Sequence, residues 1–218
     1  MLQFEVAVVC LQLYLWSYIG ESRRMEQSLS VLIALILVSF CNVQGWEAPD
    51  FCHQKECPEY NVVNTNSDFE ERQYVSTDWI TTKVENTGDS DLLAAHSRLK
   101  DYCLSKGYDS PYEAWPALIT VTKGEDGDKL SMSWFVPPGT TMPENTDTVT
   151  LVNRPAATVY VRVFTDRPSV KSGEDNTQEL REALVKAGKS FDPHSYTGAG
   201  YDTYFSLTHH SEIWIYAA

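Results

Sequence analysis

Histidine is the side chain in this sequence best suited to bind a metal ion, because a neutral imidazole nitrogen is a common metal ligand. The chain has five histidines. Four of them lie in segments predicted to be loops or turns, where we expect exposed side chains: His53, His194, His209 and His210. His96 differs, because it shares one face of a predicted helix with Leu92 and Leu99. It is therefore either a hydrogen-bonded core histidine or a metal ligand presented by a helix.

Cysteines offer a second kind of chemistry, as disulfides or as nucleophiles. Cys52 and Cys57 lie in one short polar segment and could close a small loop. Cys103 lies on the apolar face of the same predicted helix as His96, which favours a buried thiol over a nucleophile. We therefore predict a Cys52–Cys57 disulfide and a reduced Cys103. Pairing of Cys103 with either of the other two stays open as a geometric alternative.

Motifs of the common enzyme classes are absent from the sequence. There is no GxSxG, HExxH, GxxxxGK[ST] or calcium-binding EF-hand pattern, and the cysteine spacing does not form a zinc framework. Gly198-Ala199-Gly200 is interpreted as an isolated turn. The sequence therefore predicts a protein that is not an enzyme.

Most of the chain is predicted to be β-strand, because apolar and polar residues alternate. Leu130, Met132 and Trp134, for example, alternate with Ser131 and Ser133. The predicted strands are Tyr60–Val63, Phe69–Val75, Trp79–Val84, Leu118–Lys123, Leu130–Val136, Thr148–Val152, Thr158–Phe164, Thr203–Leu207 and Glu212–Tyr216. Alternation of this kind is typical of half-buried antiparallel strands.

Two segments follow a helical period instead. Asp91–Lys106 is predicted to be a helix that ends at Gly107. Thr177–Ala187 is predicted to be a second helix, with Asn176 as its N-cap and Gly188 after its last turn. The order strand, helix and two strands thus occurs twice, beginning at Phe69 and again at Val159. We expect two similar βαββ halves that share one core.

The first 45 residues are unlike the rest of the chain. Leu29–Cys41 is apolar but shorter than the roughly 20 residues that span a membrane as a helix. It follows two arginines and Met25, so residues 25–45 are predicted to be a secretory signal peptide, although a buried core helix stays an alternative. Residues 1–24 would then precede the true start, and residues 46–218 would form a single secreted domain.

Composition and charge exclude some partners. The sequence has 17 basic and 30 acidic side chains, a formal net charge of −13. This charge argues against a nucleic-acid partner, because neutralising phosphates requires surplus lysine and arginine. With 43% hydrophobic residues the chain can bury a core, and no membrane partner is expected after signal cleavage.

Several short motifs now become informative through their order. The sequence resembles the SOUL/haem-binding protein family over about residues 57–216. The motifs that carry the resemblance are Cys57-Pro58-Glu59-Tyr60, Phe69-Glu70-Glu71-Arg72-Gln73-Tyr74, Trp79-Ile80-Thr81-Thr82, Trp134-Phe135-Val136-Pro137, Val159-Tyr160-Val161-Arg162-Val163-Phe164, Gly200-Tyr201-Asp202 and Glu212-Ile213-Trp214. The resemblance implies an α+β fold, a distorted antiparallel β-barrel flanked by two helices. It also implies non-catalytic binding of haem or a related tetrapyrrole.

A haem site is accordingly predicted on the first helix. Leu92, His96 and Leu99 would form its wall, with His96 as the iron ligand, and Arg98 or Lys100 would meet the haem carboxylates. Other apolar small molecules fit the same surface.

Two departures from the family pattern predict that any haem is held weakly. Gln73 stands where some members carry a histidine proposed as an iron ligand, and the stretch Glu113–Ile119 lacks the family's Met-Thr pair. The alternative prediction is an extracellular protein-interaction module that kept the fold and lost haem binding, with its protein partner unspecified.

Overall fold

Nine strands form one antiparallel sheet in the described part of a computed structural model of the chain. The structure describes residues 46–107, 116–141, 144–165, 169–202 and 206–218, so the predictions for residues 1–24 and 25–45 lie outside it. The strands are β1 Tyr60–Thr65, β2 Glu70–Tyr74, β3 Thr77–Val84, β4 Ala117–Thr122, β5 Lys129–Val136, β6 Thr150–Arg154, β7 Ala157–Phe164, β8 Ser195–Gly200 and β9 Ser211–Tyr216. The helices are α1 Asp89–Ser105 and α2 Val170–Lys186. The α+β class is therefore confirmed.

One strand was missed by the sequence analysis: β8 is Ser195–Gly200. Of the predicted strand Thr203–Leu207, residues 203–205 lie outside the described part, and residues 206 and 207 are not in a strand. The supposed turn Gly198-Ala199-Gly200 is the second half of β8. The alternation signal failed there because two glycines and an alanine contribute almost no side chain.

The sheet is open at both ends of its strand order. That order is β1-β2-β7-β9-β8-β4-β5-β3-β6, and the edges β1 and β6 do not pair with each other in the described part of the chain. A closed barrel is therefore not confirmed. The sheet nevertheless curls. Arg154 on β6 donates hydrogen bonds to Thr120 on β4 and to Tyr216 on β9, and a flat sheet would keep these strands far from β6.

The predicted repeat is seen only as an order of elements. β3-α1-β4-β5 and β7-α2-β8-β9 follow the same sequence of strand and helix, and β4 pairs with β8 where they meet. The first of these begins with β3 rather than with the predicted strand at Phe69. A duplication of the sequence itself stays a prediction.

Helix α1 packs on β3 and β5 through small and apolar side chains. Ala95, Leu99, Tyr102 and Cys103 are buried on its inner face. The helix ends as predicted, because Gly107 adopts a positive φ of 78° that suits glycine after a helix.

Helix α2 begins seven residues earlier than predicted. Its N-cap is Ser169, whose side chain accepts from the backbone N–H of Ser172 in a capping box. The predicted cap Asn176 lies inside the helix, where its side-chain amide donates to the carbonyl of Ser172. The polar first turns, Lys171–Asp175, gave no apolar period from which the sequence could place the true start.

The two faces of the sheet are covered by different parts of the chain. The helices cover one face, where Leu180 and Leu184 of α2 join the buried side chains of α1. The N-terminal segment, residues 46–57, packs on the other face, which we call the inner face. The predicted Cys52–Cys57 disulfide is present within this segment, and Cys103 is buried and reduced. Burial raises the pKa of the Cys103 thiol to about 11, which keeps it protonated and unreactive.

Candidate functional site

His96 lies at the edge of the contact between α1 and the sheet. It is half-buried, and its ring meets Trp134 of β5 edge to face, with the ring centroids 5.2 Å apart. Burial, and secondarily the charge of Lys100, lowers the pKa of His96. The imidazole is therefore neutral at physiological pH, the form in which it ligates metals.

The other residues predicted for the site divide between the edge of α1 and the core. Leu92 is half-buried one turn before His96, and Lys100 is exposed. Leu99 is fully buried under the helix, so it supports α1 and offers no surface to a ligand in this structure. Arg98 donates to the hydroxyl of Thr82 and to a backbone carbonyl on β3, which directs its guanidinium to the sheet. The structure thus brings Leu92, His96 and Lys100 together at one edge.

The histidines outside α1 follow the prediction only in part. His53 and His194 are exposed as expected. His209 was predicted to be exposed and is buried, and His210 is half-buried because its ring stacks on Phe51 at 3.9 Å. Within the described ranges, no group of three or more His, Cys, Asp or Glu side chains could hold a metal ion.

Gln73 occupies an exposed position on β2. Its side-chain carbonyl accepts a hydrogen bond of 2.8 Å from the hydroxyl of Thr158 on the neighbouring strand β7. Gln73 therefore links two neighbouring strands at the position where some members of the family carry a histidine. The stretch Glu113–Ile119 lies partly outside the described residues.

A buried ion pair on the inner face was missed by sequence reasoning. Arg72 of β2 donates to Glu212 of β9 at 3.0 Å, and both side chains are almost completely buried. Arg72 also binds Glu70 at 2.8 Å and lies over the Tyr60 ring at 4.4 Å. The family-like motif contained Arg72, but its partner lies 140 residues away in the sequence.

Glu212 is surrounded by hydrogen-bond donors. Its carboxylate accepts from Tyr201 at 3.0 Å and from the Trp214 indole at 2.7 Å, and it meets His210 at 2.9 Å. Burial alone would raise the pKa of Glu212, but the His210 hydrogen bond and the Arg72 charge hold it below its ordinary value. The glutamate is therefore ionised and satisfied, which is typical of a structural pair rather than of a proton donor.

The N-terminal segment covers this pair. Phe51 packs against Tyr201 and His210, and His53 meets Asp202 at 2.9 Å. The adjacent disulfide closes the segment onto itself, and the two side chains of the pair are almost completely buried.

Comparison with known proteins decides the family. The sequence pattern of the SOUL heme-binding protein family matches residues 55–216. The chain belongs to the SOUL family. No curated protein matches the sequence.

Several solved structures are similar to this chain at low sequence identity. The EcmrR C-terminal domain matches with a TM-score of 0.52 and 9% identity, over 73% of this chain and 98% of that chain. A hydrolase from Listeria innocua matches with a TM-score of 0.47 and 10% identity, over 72% and 94% of the two chains. SAV2435 bound to tetraphenylphosphonium matches with a TM-score of 0.43 and 12% identity, over 69% and 94%.

Proposed function

We propose that this chain is a secreted, non-enzymatic protein that binds haem or a related tetrapyrrole. The observation that carries the proposal is the family match over residues 55–216, almost the whole described part of the chain. Members of a haem-binding family bind a large flat apolar ligand that carries carboxylates. The edge of α1 offers side chains that suit such a ligand.

Each residue at this edge has a defined part in the proposal. His96 provides a neutral imidazole nitrogen, Leu92 an apolar contact, and Lys100 a cation. Bound haem would bring an iron atom that accepts an imidazole and two propionates that a cation can neutralise. Binding is expected to be weak, because Gln73 and the sequence around Glu113 provide no second strong ligand.

The test is a titration of the purified protein with hemin, followed by its absorbance. Ligation by His96 predicts a sharp Soret band that His96→Ala removes. The matched control is His194→Ala, which removes an exposed histidine from a loop far along the chain and should leave the band unchanged. A low-spin spectrum that survives His96→Ala would show that another histidine binds the iron.

The second candidate is an extracellular interaction module without haem. Net negative charge favours it, because an acidic surface repels an anionic ligand. Wild-type protein that leaves the hemin spectrum unchanged would support this candidate and reject the first.

Secretion is proposed on separate grounds. The Cys52–Cys57 disulfide suits an oxidising compartment, and the apolar segment Leu29–Cys41 suits a signal peptide. N-terminal sequencing of protein secreted from a eukaryotic host is expected to begin at Trp46. Material that begins before Met25 would contradict this. In the described part of the chain, no helix is long and apolar enough to cross a membrane.

A further inference from the structure

Arg154 lies on the inner face of the sheet, where its guanidinium contacts hydroxyl groups and an indole ring. Its guanidinium donates to the Tyr216 hydroxyl at 3.2 Å and to the Thr120 hydroxyl at 3.1 Å. It also lies over the indole of Trp79, with its central carbon 5.4 Å from the ring centroid. The side chain is half-buried, so it is both positioned by the protein and open to solvent.

No carboxylate in the described residues neutralises this charge. The ion pairs of the described chain include Arg72 with Glu212 and Arg162 with Glu179, but none involves Arg154. Asp78 lies on the neighbouring strand β3, next to Trp79 in sequence, so its side chain points to the opposite face from the Trp79 indole. What distinguishes Arg154 is that the hydroxyl groups of Thr120 and Tyr216 and the indole of Trp79 hold its guanidinium in place without an acid.

The groups around Arg154 are able to bind an anion. A guanidinium has five N–H hydrogens, and the two hydrogen bonds to hydroxyls leave the others for an acceptor. Thr120 itself meets the Thr197 hydroxyl at 3.0 Å, so two hydroxyl groups contact the cation and a third is linked to it through Thr120. Hydroxyl groups can donate to an oxyanion as well as accept from arginine.

We propose that Arg154, Thr120 and Tyr216 form a binding site for the carboxylate group of an organic ligand. The planar guanidinium matches a carboxylate geometrically. A singly charged carboxylate fits one cation on an acidic protein better than a doubly charged phosphate does. The site lies on the sheet face opposite α1, so it is separate from the His96 edge and does not depend on haem binding there.

Isothermal titration calorimetry with benzoate tests the site, and uncharged benzamide is the matched control ligand. Wild-type protein is expected to bind benzoate at least about tenfold more tightly than benzamide, because only benzoate forms a charge-assisted pair. Arg154→Gln is expected to weaken benzoate binding by about tenfold or more and to leave benzamide unchanged. Arg162→Gln is the control, because Arg162 faces α2 and already pairs with Glu179.

Further variants keep the test decisive if Arg154→Gln perturbs folding. Arg154→Lys retains the charge and should bind benzoate between the wild type and Arg154→Gln, while Thr120→Val should weaken it about threefold to tenfold. The proposal is overturned if wild-type protein gives no benzoate heat, if benzoate and benzamide bind equally, or if Arg154→Gln binds benzoate as the folded wild type does. Competition in which inorganic phosphate displaces benzoate more strongly than acetate does would overturn the assignment to a carboxylate.

Discussion

Arg72 and Arg154 reach the same strand from opposite sides of the curled sheet, and they meet different groups there. Arg72 binds Glu212, whereas Arg154 binds Tyr216. These two partners lie on the same face of β9, with Trp214 between them. The strand therefore offers a carboxylate to one arginine and a hydroxyl to the other.

The two arginines differ in whether their charge is neutralised: Arg72 pairs with a carboxylate, whereas Arg154 contacts a hydroxyl group. Arg72 is buried, and its carboxylate partner Glu212 accepts from Tyr201 and Trp214 and meets His210, so both charges of the pair are enclosed by protein groups. Arg154 is half-buried and neutralised by no acid in the described residues. Burial with enclosed partners is typical of an ion pair that stabilises the fold, whereas Arg154 is held by hydroxyl groups and is the cation that we propose binds a carboxylate.

The largest effect on stability is expected from removing Arg72, the buried cation. Arg72→Met is expected to lower the free energy of unfolding by about 3–5 kcal/mol, because it leaves the Glu212 charge buried without compensation. Urea unfolding measures the loss. Adding Glu212→Gln to Arg72→Met should recover part of it, since the uncompensated charge is then gone. A loss below about 1 kcal/mol for the single variant would show that the pair does not hold the fold.

A smaller effect on the same pair is expected from acid. The folded pKa of Glu212 lies below its unfolded value of about 4.3, so its contribution to stability is complete above that pH. The contribution is lost as the pH falls from about 4.3 through the folded pKa. The effect is smaller than that of Arg72→Met because a protonated carboxyl keeps some of its hydrogen bonds.

Urea unfolding at several pH values between neutral and acid detects this contribution. Glu212→Gln should flatten the loss of stability below about pH 4.3, whereas Glu59→Gln at an exposed position should not. An unchanged slope in Glu212→Gln would contradict the role of this carboxylate.

The disulfide lies in the N-terminal segment, which packs on the inner face near Arg72. Replacing Cys52 and Cys57 together by serine is expected to lower the free energy of unfolding by about 2 kcal/mol, because the loop is short. Reducing agent should have the same effect on wild-type protein and none on the variant. Benzoate binding should survive in the variant, since the N-terminal segment contacts the Arg72 end through Phe51 and His53. Loss of benzoate binding would show that the two ends are coupled.

Local sequence pattern was sufficient for the parts of the fold that have a clear period. β5 and β7 alternate apolar and polar residues, and their predicted bounds differ from the observed ones by a single residue at the start. The disulfide and the buried thiol of Cys103 also followed from local context. The start of α2 and the whole of β8 did not, because polar turns in one and glycines in the other carry no apolar period.

The candidate sites depended on contacts that no local pattern contains. Arg72 stood out only within a family-like motif, and the sheet brings Glu212 to it from the far end of the chain. Arg154 could not be distinguished from a solvated strand residue, because its partners Thr120 and Tyr216 arrive through the curl of the sheet. The pattern on α1 placed His96 and Leu99 together on one stripe, but a small rotation of the helix buries Leu99 and leaves His96 at the edge.

The smallest expected effect on stability is that of Arg154→Gln, which is to be compared with that of Arg72→Met. The variant should lower the free energy of unfolding by about 1 kcal/mol or less, because the hydrogen bonds of a half-buried group are exchanged for bonds to water and no buried acid is left behind. Urea unfolding of Arg154→Gln beside Arg72→Met measures the contrast in one experiment. A loss for Arg154→Gln as large as that for Arg72→Met would mean that Arg154 holds β6 against β4 and β9 and is needed for the fold. A small loss together with weakened benzoate binding would instead mean that the charge is kept for a ligand.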